Sequence, residues 1–327
     1  MKKLISILLA VLILVSIFAS CNGDNSTTTG DITTTGDITT TDDVTTTTTP
    51  AEPILSSEGL ALQMNSDGKS YTVVGIGECK DTVINIPDEY NNLPVTSIGF
   101  EAFRGNKQIT HVYIPNSVTY IDTQAFFSCS SLTTVVIPDT VTYIGISAFV
   151  SCISLTDVKL PANLTSISES LFASCRFESI TIPDSVTSIG HSAFYNSKIE
   201  SITIPDSVTF IGQSAFNGSK IKSINIPNGV TSIERGAFAH CKELTSITIP
   251  SSVTSIDMHA FGECEKLESI IIPSSVTHIS ENAFYGNENL TVYCEAESKP
   301  EGWDDEWTGD ERKDIKVKEV VWGYKEG

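Results

Sequence analysis

The sequence predicts a solenoid of about nine stacked repeats, each 22–23 residues long, in which neighbouring repeats share a parallel β-sheet. A phenylalanine recurs in one frame, a proline lies eleven residues before all but the first of them, and an apolar–x–apolar triplet precedes each proline. A fixed period of this length is typical of leucine-rich repeats. The phenylalanines are Phe103, Phe126, Phe149, Phe172, Phe194, Phe216, Phe238, Phe261 and Phe284. The prolines are Pro115, Pro138, Pro161, Pro183, Pro205, Pro227, Pro250 and Pro273.

One repeat shows how each part of the unit is expected to fold. In 180–182, two isoleucines alternate with a threonine, so a strand here points two apolar side chains inward and one polar side chain outward. Pro183 ends this strand because proline has no amide hydrogen to donate. Val186 and Ile189 supply an apolar pair on the return path, and Phe194 is expected to fill the core from a short helical turn. We therefore expect a parallel β-sheet on one face, with short helical turns and return strands on the other.

The first twenty residues are typical of an export signal. Lys2 and Lys3 precede an apolar run over 4–15, which is shorter than the roughly 20 residues that a membrane-spanning helix needs. The residues 18–21 resemble a bacterial lipobox, whose cysteine becomes the lipidated first residue of the mature protein. We expect 1–20 to be a lipoprotein signal peptide, and lipid on Cys21 to tether the chain to a membrane surface without spanning it. Ordinary secretion and a membrane anchor are the alternatives.

A threonine-rich segment follows the cysteine. Its composition contains too little apolar surface to offset the entropy cost of ordering, so we expect 21–57 to be a disordered linker that begins at the lipidated Cys21. A plain spacer is the simplest role. An O-glycosylated stalk is the alternative, because Thr- and Pro-rich tracts are frequent acceptors.

The repeats resemble a known family. The repeat over 179–194 reads Ser-Ile-x-Ile-Pro-x-Ser-Val-Thr-x-Ile-Gly-x-x-Ala-Phe, and in five repeats a cysteine follows three residues after the phenylalanine. This pattern resembles the BspA-type, or treponemal, leucine-rich repeats over about residues 85–322. The resemblance implies a lipid-anchored protein on the outer face of a bacterial cell membrane, exposed at the cell surface. Some relatives in that family attach to host matrix proteins or to other bacteria.

The segments on either side of the repeats resemble the family's closing units. Repeat arrays expose apolar surface at both ends, and capping units cover it. We expect an N-terminal cap and lead-in over 58–99, the repeat array over 100–290, and a C-terminal cap and tail over 291–327.

The cysteines that follow the repeat phenylalanines are expected to be structural. Asparagine or serine takes the same place in the other repeats, which a metal site would not tolerate. Cysteines in neighbouring repeats lie within range of a disulfide, but seven cysteines follow Cys21, an odd number, so not all of them can pair within the chain. We predict buried, unpaired thiols. His240 beside Cys241, one repeat from Cys264, is the one group worth testing as a zinc site, but a tetrahedral site needs four organised ligands. We therefore predict no metal site. These cysteines are Cys129, Cys152, Cys175, Cys241 and Cys264.

The outward positions of the first three repeat strands are the candidate ligand contacts. Later strands carry mainly serine and threonine there, whereas the first three carry aromatic, apolar and charged side chains. Aromatic and charged residues of this kind dominate the energy of protein interfaces, which favours a binding role. Neutral sequence drift near the end of the array explains the different side chains equally well. The candidates are His111, Tyr113, Val136, Asp157 and Lys159.

The charge and the missing motifs limit the possible functions. The formal net charge of −20 repels nucleic acid, so none is expected as a partner. The sequence contains no nucleotide-binding, zinc-protease or serine-hydrolase motif, so we expect no catalytic residue, no cofactor and no enzyme. Surface recognition or adhesion is the leading hypothesis, with a protein or glycan ligand on host or neighbouring cells. A scaffold that binds proteins of the cell envelope is the alternative, and a surface hydrolase is less favoured.

Overall fold

The computed structural model describes residues 56–310 and 315–325, all within one compact unit over Pro53–Gly327. The predicted signal peptide, the lipidation site at Cys21 and nearly all of the threonine-rich linker lie outside the described residues. The described chain contains 25 β-strands, numbered β1 to β25 in chain order, and no helix. Accordingly, nothing in these two ranges forms a helix that could cross a membrane.

One strand from each repeat joins a parallel ladder, here called the front ladder. Its strands hydrogen-bond in groups of four, two, two and three along the solenoid. The eight strands over 111–272 lie where the sequence predicts them, just before the repeat prolines, because the alternating triplets bury their apolar members. They are β3 Val83–Asn85, β6 His111–Tyr113, β8 Thr134–Val136, β10 Asp157–Lys159, β12 Ser179–Thr181, β14 Ser201–Thr203, β16 Ser223–Asn225, β18 Ser246–Thr248, β20 Ser269–Ile272, β22 Thr291–Cys294 and β25 Glu319–Trp322.

A second set of parallel strands forms the return ladder. Each strand ends in a buried isoleucine, such as Ile189 or Ile211, whose side chain enters the core from the opposite side. The strands are β5 Leu93–Ile98, β7 Tyr120–Ile121, β9 Tyr143–Ile144, β11 Ser166–Ile167, β13 Ser188–Ile189, β15 Phe210–Ile211, β17 Ser232–Ile233, β19 Ser255–Ile256 and β21 His278–Ile279.

The segment around each repeat phenylalanine, where the sequence predicts a short helical turn, folds instead as a series of hydrogen-bonded turns. Two left-handed residues flank the phenylalanine in every repeat, for example Ser192 with φ 54° and Asn196 with φ 51°. The Phe194 amide donates to Ala215 of the next repeat at 2.8 Å, whereas the Tyr195 amide donates to Ser192 at 3.0 Å. Since every second amide bonds to the neighbouring repeat, the continuous bonding of a helix cannot form. The expected helical turn is therefore wrong.

The repeat phenylalanines form one continuous column through the core. All nine are at most 1% exposed, and consecutive rings lie 5.2–5.9 Å apart in parallel stacks. The column ends at Trp307, which meets Phe284 edge to face at 5.7 Å. Aromatic pairs at these distances add to the stabilisation from burial, so the column links each repeat to the next.

The repeat cysteines hydrogen-bond to this column. Cys152 Sγ, for example, donates to the Phe126 carbonyl at 3.1 Å, and Asn287 makes the equivalent bond to Phe261 at 2.7 Å. All seven described cysteines are buried and unpaired, which confirms the prediction made for the five repeat cysteines. Burial raises the pKa of the Cys129 and Cys175 thiols to about 12. The thiols therefore stay protonated and donate additional hydrogen bonds to carbonyl groups in the core.

Additional strands close the two ends. At the N-terminal end, β1 Ala61–Met64 pairs antiparallel with β2 Tyr71–Gly75, and β2 continues the return ladder through β5; β4 Glu89–Tyr90 pairs with β5. At the C-terminal end, β22 and β25 extend the front ladder, and β23 Gly309–Asp310 pairs with β24 Ile315–Lys316. Trp303 is buried there, and its indole donates to the Val276 carbonyl at 3.1 Å.

Candidate recognition site

The front ladder brings the five candidate contact residues into two adjacent rows. In one row Tyr113 lies opposite Val136, which lies opposite Lys159; in the other, His111 and Asp157 occupy the positions on either side of Thr134. Neighbouring strands in a sheet are about 4.8 Å apart, so Tyr113 and Lys159 are separated by about 10 Å. The backbone hydrogen bonds of three strands fix this arrangement.

The site combines several kinds of side chain within a small area. Val136 is 39% exposed and Lys159 is also exposed, whereas His111 and Tyr113 are half-buried. Burial lowers the pKa of His111 below its ordinary value of 6.5 and raises the pKa of Tyr113. Both rings are therefore mainly neutral at pH 7, and Lys159 provides a positive charge beside them. A neutral aromatic surface next to a cation and an aliphatic side chain is suited to binding rather than to bond cleavage.

Asn85 extends this site, and the sequence analysis missed it. It lies in β3, opposite Tyr113, and its Oδ1 atom is buried without a hydrogen-bond partner among the described residues. The signal is present in the sequence, because residues 84–87 read Ile-Asn-Ile-Pro, the same triplet and proline as in the repeats. The position eleven residues after Pro87 is Ile98 rather than phenylalanine, so this strand falls outside the periodic count.

The rest of the front ladder is chemically more uniform. The corresponding outward pairs are Ser179 and Thr181, Ser201 and Thr203, Ser223 and Asn225, Ser246 and Thr248, and Ser269 and Ile271. The first three repeat strands therefore differ from the others in side-chain chemistry while sharing the same backbone.

A hydroxyl and an imidazole lie close together at the edge of the site. Thr110 Oγ1 is 3.0 Å from His111 Nδ1 and 3.1 Å from the carbonyl of Thr82. A carbonyl can only accept, so the Thr110 hydroxyl donates its proton to Thr82 and accepts a hydrogen bond from His111. The imidazole thus has no free lone pair toward this hydroxyl, and the pair is not arranged as a nucleophile with its base.

The group considered for zinc does not converge on one point. His240 Nδ1 lies on the surface, 3.1 Å from a carboxylate oxygen of Glu263. Cys241 and Cys264 are fully buried, and their thiols donate to the carbonyls of Phe216 and Phe238. The imidazole and the thiols therefore point to different environments. Among the described residues, no group of three or more His, Cys, Asp or Glu side chains could hold a metal ion.

The chain is similar to several solved structures of leucine-rich-repeat proteins. A leucine-rich-repeat protein of Bacteroides ovatus is 28% identical, with a TM-score of 0.69 over 84% of this chain and 69% of the other. A leucine-rich cell surface protein of Faecalibacterium prausnitzii is 24% identical over 83% and 95%, with a TM-score of 0.45. A leucine-rich-repeat protein of T. pallidum is also 24% identical, over 64% and 88%, with a TM-score of 0.45.

No curated protein matches the sequence at a significant level. The family described as the BspA type leucine rich repeat region matches in six copies over residues 78–199 and 165–291, which is more than half of the chain. The protein therefore belongs to the BspA-type leucine-rich-repeat family.

Proposed function

We propose that the protein is a non-catalytic recognition protein that binds a protein or glycan ligand on host or neighbouring cells. The contact surface is formed by His111, Tyr113, Val136, Asp157 and Lys159, with Asn85 at its edge. The observation that carries the proposal is the register of β6, β8 and β10, which places these unlike residues together on an otherwise mainly serine- and threonine-bearing ladder.

The backbone of the site is suited to binding because it is already ordered. Val112 and Val135, between the outward positions of β6 and β8, are at most 2% exposed, so both strands are fixed from below by the core. A ligand therefore need not order the strands when it binds, and less of its binding energy is lost to conformational entropy. The half-buried Tyr113 contributes an amphipathic ring to this fixed surface.

We also propose that the protein is exported and held on the outer face of the bacterial membrane by lipid on Cys21, with 21–57 as a linker. The support is the sequence of the first 21 residues. Metabolic labelling with palmitate tests it: the wild-type chain should incorporate label and resist release from the membrane fraction by salt. Cys21→Ser should lose both properties, and labelling that survives this substitution would exclude Cys21 as the lipidated residue.

A binding experiment tests the contact surface. The full chain is applied to immobilised extracellular-matrix proteins, bacterial glycans and envelope extract of the producing cell. We expect saturable binding to matrix protein or glycan that weakens about tenfold or more in Tyr113→Ser/Lys159→Ser, since an aromatic anchor and a charge are removed together. The matched control is Thr181→Ala/Thr203→Ala, which changes two residues at the same outward position of later strands.

The same experiment separates adhesion from the scaffold alternative. Binding confined to the producer's own envelope extract would favour a scaffold of the cell envelope. Equal affinities for the folded Tyr113→Ser/Lys159→Ser variant and the wild type would contradict the proposed contact surface. Turnover of polysaccharide or peptide substrates would contradict a non-catalytic function.

A further inference from the structure

A second surface feature lies at the N-terminal end of the return ladder. A cleft of about 490 Å³ opens there between the end of β1 and the beginning of the first repeats. Its lining includes the apolar residues Met64, Val74 and Phe100, together with Gly99 and Asp122. These residues belong to the return ladder and its cap, whereas Tyr113 and Lys159 belong to the front ladder. The cleft is therefore a separate candidate site.

Asp122 contributes an acidic side chain to the lining of the cleft. Equivalent backbone hydrogen bonds, each 2.8 Å long, place Gly99, Asp122 and Gly145 at the same position in three successive turns of the solenoid. Asp122 Oδ1 accepts from the Thr123 amide at 2.6 Å and from the Tyr120 hydroxyl at 3.4 Å. Within the described part of the chain, no hydrogen bond reaches Oδ2. One carboxylate oxygen is thus available between two glycines.

A later repeat provides an internal comparison. Asp257 occupies the same repeat position as Asp122, and its Oδ1 accepts from the Met258 amide at 2.6 Å. However, the next repeat carries Ser280 at this position, and the Ser280 hydroxyl also donates to Asp257 Oδ1, at 3.0 Å. The two aspartates therefore share a backbone setting, and among the described residues neither has a hydrogen bond to Oδ2. Their side-chain donors differ, Tyr120 for Asp122 and Ser280 for Asp257, and of the two only Asp122 lines the cleft.

Exposed apolar side chains are frequent at this end of the return ladder. Six of the eleven exposed large apolar residues lie on, or within two residues after, strands β1, β2, β5, β7 and β9, and three of the six line the cleft. Phe100 is the most exposed of all, at 60%. Tyr120 on β7 and Tyr143 on β9 stack on each other, with their ring centroids 4.9 Å apart. Clusters of this kind mark interaction surfaces more often than isolated exposed residues do. The six residues are Met64, Val74, Phe100, Tyr120, Tyr143 and Ile146.

We propose that this cleft binds a lysine or arginine side chain from an extended basic segment of a partner protein. The free oxygen of Asp122 would accept the cationic group, and the ring of Phe100 can bind a cation through its face. Met64 and Val74 suit the aliphatic part of a long basic side chain. Among the described residues, no lysine, arginine or histidine lines the cleft, and the net charge of −20 favours the approach of basic segments.

Charge argues against two other occupants. Residues 4–55 of this chain contain no lysine or arginine and six acidic residues, so they lack the cation that the cleft would bind. A second copy of the chain would bring another net charge of −20, which opposes association. The inference does not depend on the front-ladder site, because it rests on different residues.

The test uses the full chain and a fluorescein-labelled peptide of about twelve residues that alternates lysine and serine. Fluorescence anisotropy should show binding that weakens about tenfold in Asp122→Asn and in Phe100→Ala, while Asp257→Asn stays within about twofold of wild type. Both asparagine variants remove one negative charge, so their difference separates the cleft from general attraction to an acidic protein. Asparagine retains the Oδ1 acceptor for Thr123, and circular dichroism checks that each variant is folded.

Several outcomes would overturn the inference. Equal weakening in Asp122→Asn and Asp257→Asn would show non-specific attraction, and no binding by the wild type would exclude a basic occupant. Neutral oligosaccharides whose binding depends on Asp122 would identify a glycan site instead, and self-association lost in Phe100→Ala would identify a second copy. Tyr113→Ser/Lys159→Ser should bind the lysine peptide like wild type, so failure of one proposed site is distinguishable from failure of the other.

Discussion

The phenylalanine column makes a strong prediction for stability, and Phe216 is the position at which to test it. This ring is fully buried and stacks on Phe194 at 5.3 Å and on Phe238 at 5.6 Å. Phe216→Leu keeps most of the apolar volume but removes both ring pairs, each worth about 0.5–1.5 kcal/mol, so we expect a loss of about 1–3 kcal/mol. Phe216→Ala also leaves a cavity and should cost about 3–5 kcal/mol.

Denaturation in urea, followed by far-ultraviolet circular dichroism, measures these changes. Phe100→Ala is the control, because the ring of Phe100 is 60% exposed and its removal should change the free energy of unfolding by no more than about 0.5 kcal/mol. Repeat proteins can unfold in steps, so the transitions are compared only where their slopes agree. A value for Phe216→Leu equal to wild type would show that stacking adds nothing beyond burial. A loss below about 1 kcal/mol in Phe216→Ala would refute the column as a core element.

Two further predictions concern buried titratable groups. In a Cys21→Ser background, a thiol-specific dye at about pH 8 should react with the folded protein far more slowly than with the unfolded chain. The reason is that a thiol with a pKa of about 12 forms about a thousandfold less thiolate than a thiol with a pKa of 9.0. Rapid labelling of the folded protein would contradict this prediction. Because burial lowers the pKa of His111, the folded state binds its proton less readily than the unfolded chain. The free energy of unfolding should therefore fall as pH decreases below about 6.5. His111→Gln should reduce this pH dependence without abolishing it, because the lowered pKa of His259 contributes in the same direction. An unchanged pH dependence in the variant would contradict the role of His111.

The sequence predicts the architecture well because the repeat period reports packing directly. Alternation in triplets such as 180–182 requires inward and outward faces, and the recurring phenylalanine requires a common core, so the leucine-rich-repeat solenoid and its parallel ladders are confirmed. The helical turn around Phe194 is wrong for a reason that lies between repeats. The backbone amides around Phe194 donate hydrogen bonds alternately within their own turn and to the next repeat. The local sequence also gives no clear sign that serines such as Ser192 adopt a left-handed backbone conformation.

The candidate surfaces are predicted less completely. The register of Tyr113, Val136 and Lys159 follows from the period, so the sequence could identify that row. The cleft at Asp122 depends also on residues in neighbouring turns of the solenoid, among them Gly99. The repeat period shows which residues align with Asp122, but only the folded cap and first repeats together show that Asp122 lines a cleft with Met64 and Phe100.

The central claim is that the first repeats of the front ladder recognise a ligand. The most direct test is the affinity of the full chain, of Tyr113→Ser/Lys159→Ser and of Thr181→Ala/Thr203→Ala for immobilised matrix proteins and bacterial glycans. We expect saturable binding by the full chain, a loss of about tenfold or more in the first variant, and wild-type affinity in the second. Equal affinity in all three folded proteins, or no binding to any of these ligands, would contradict the claim.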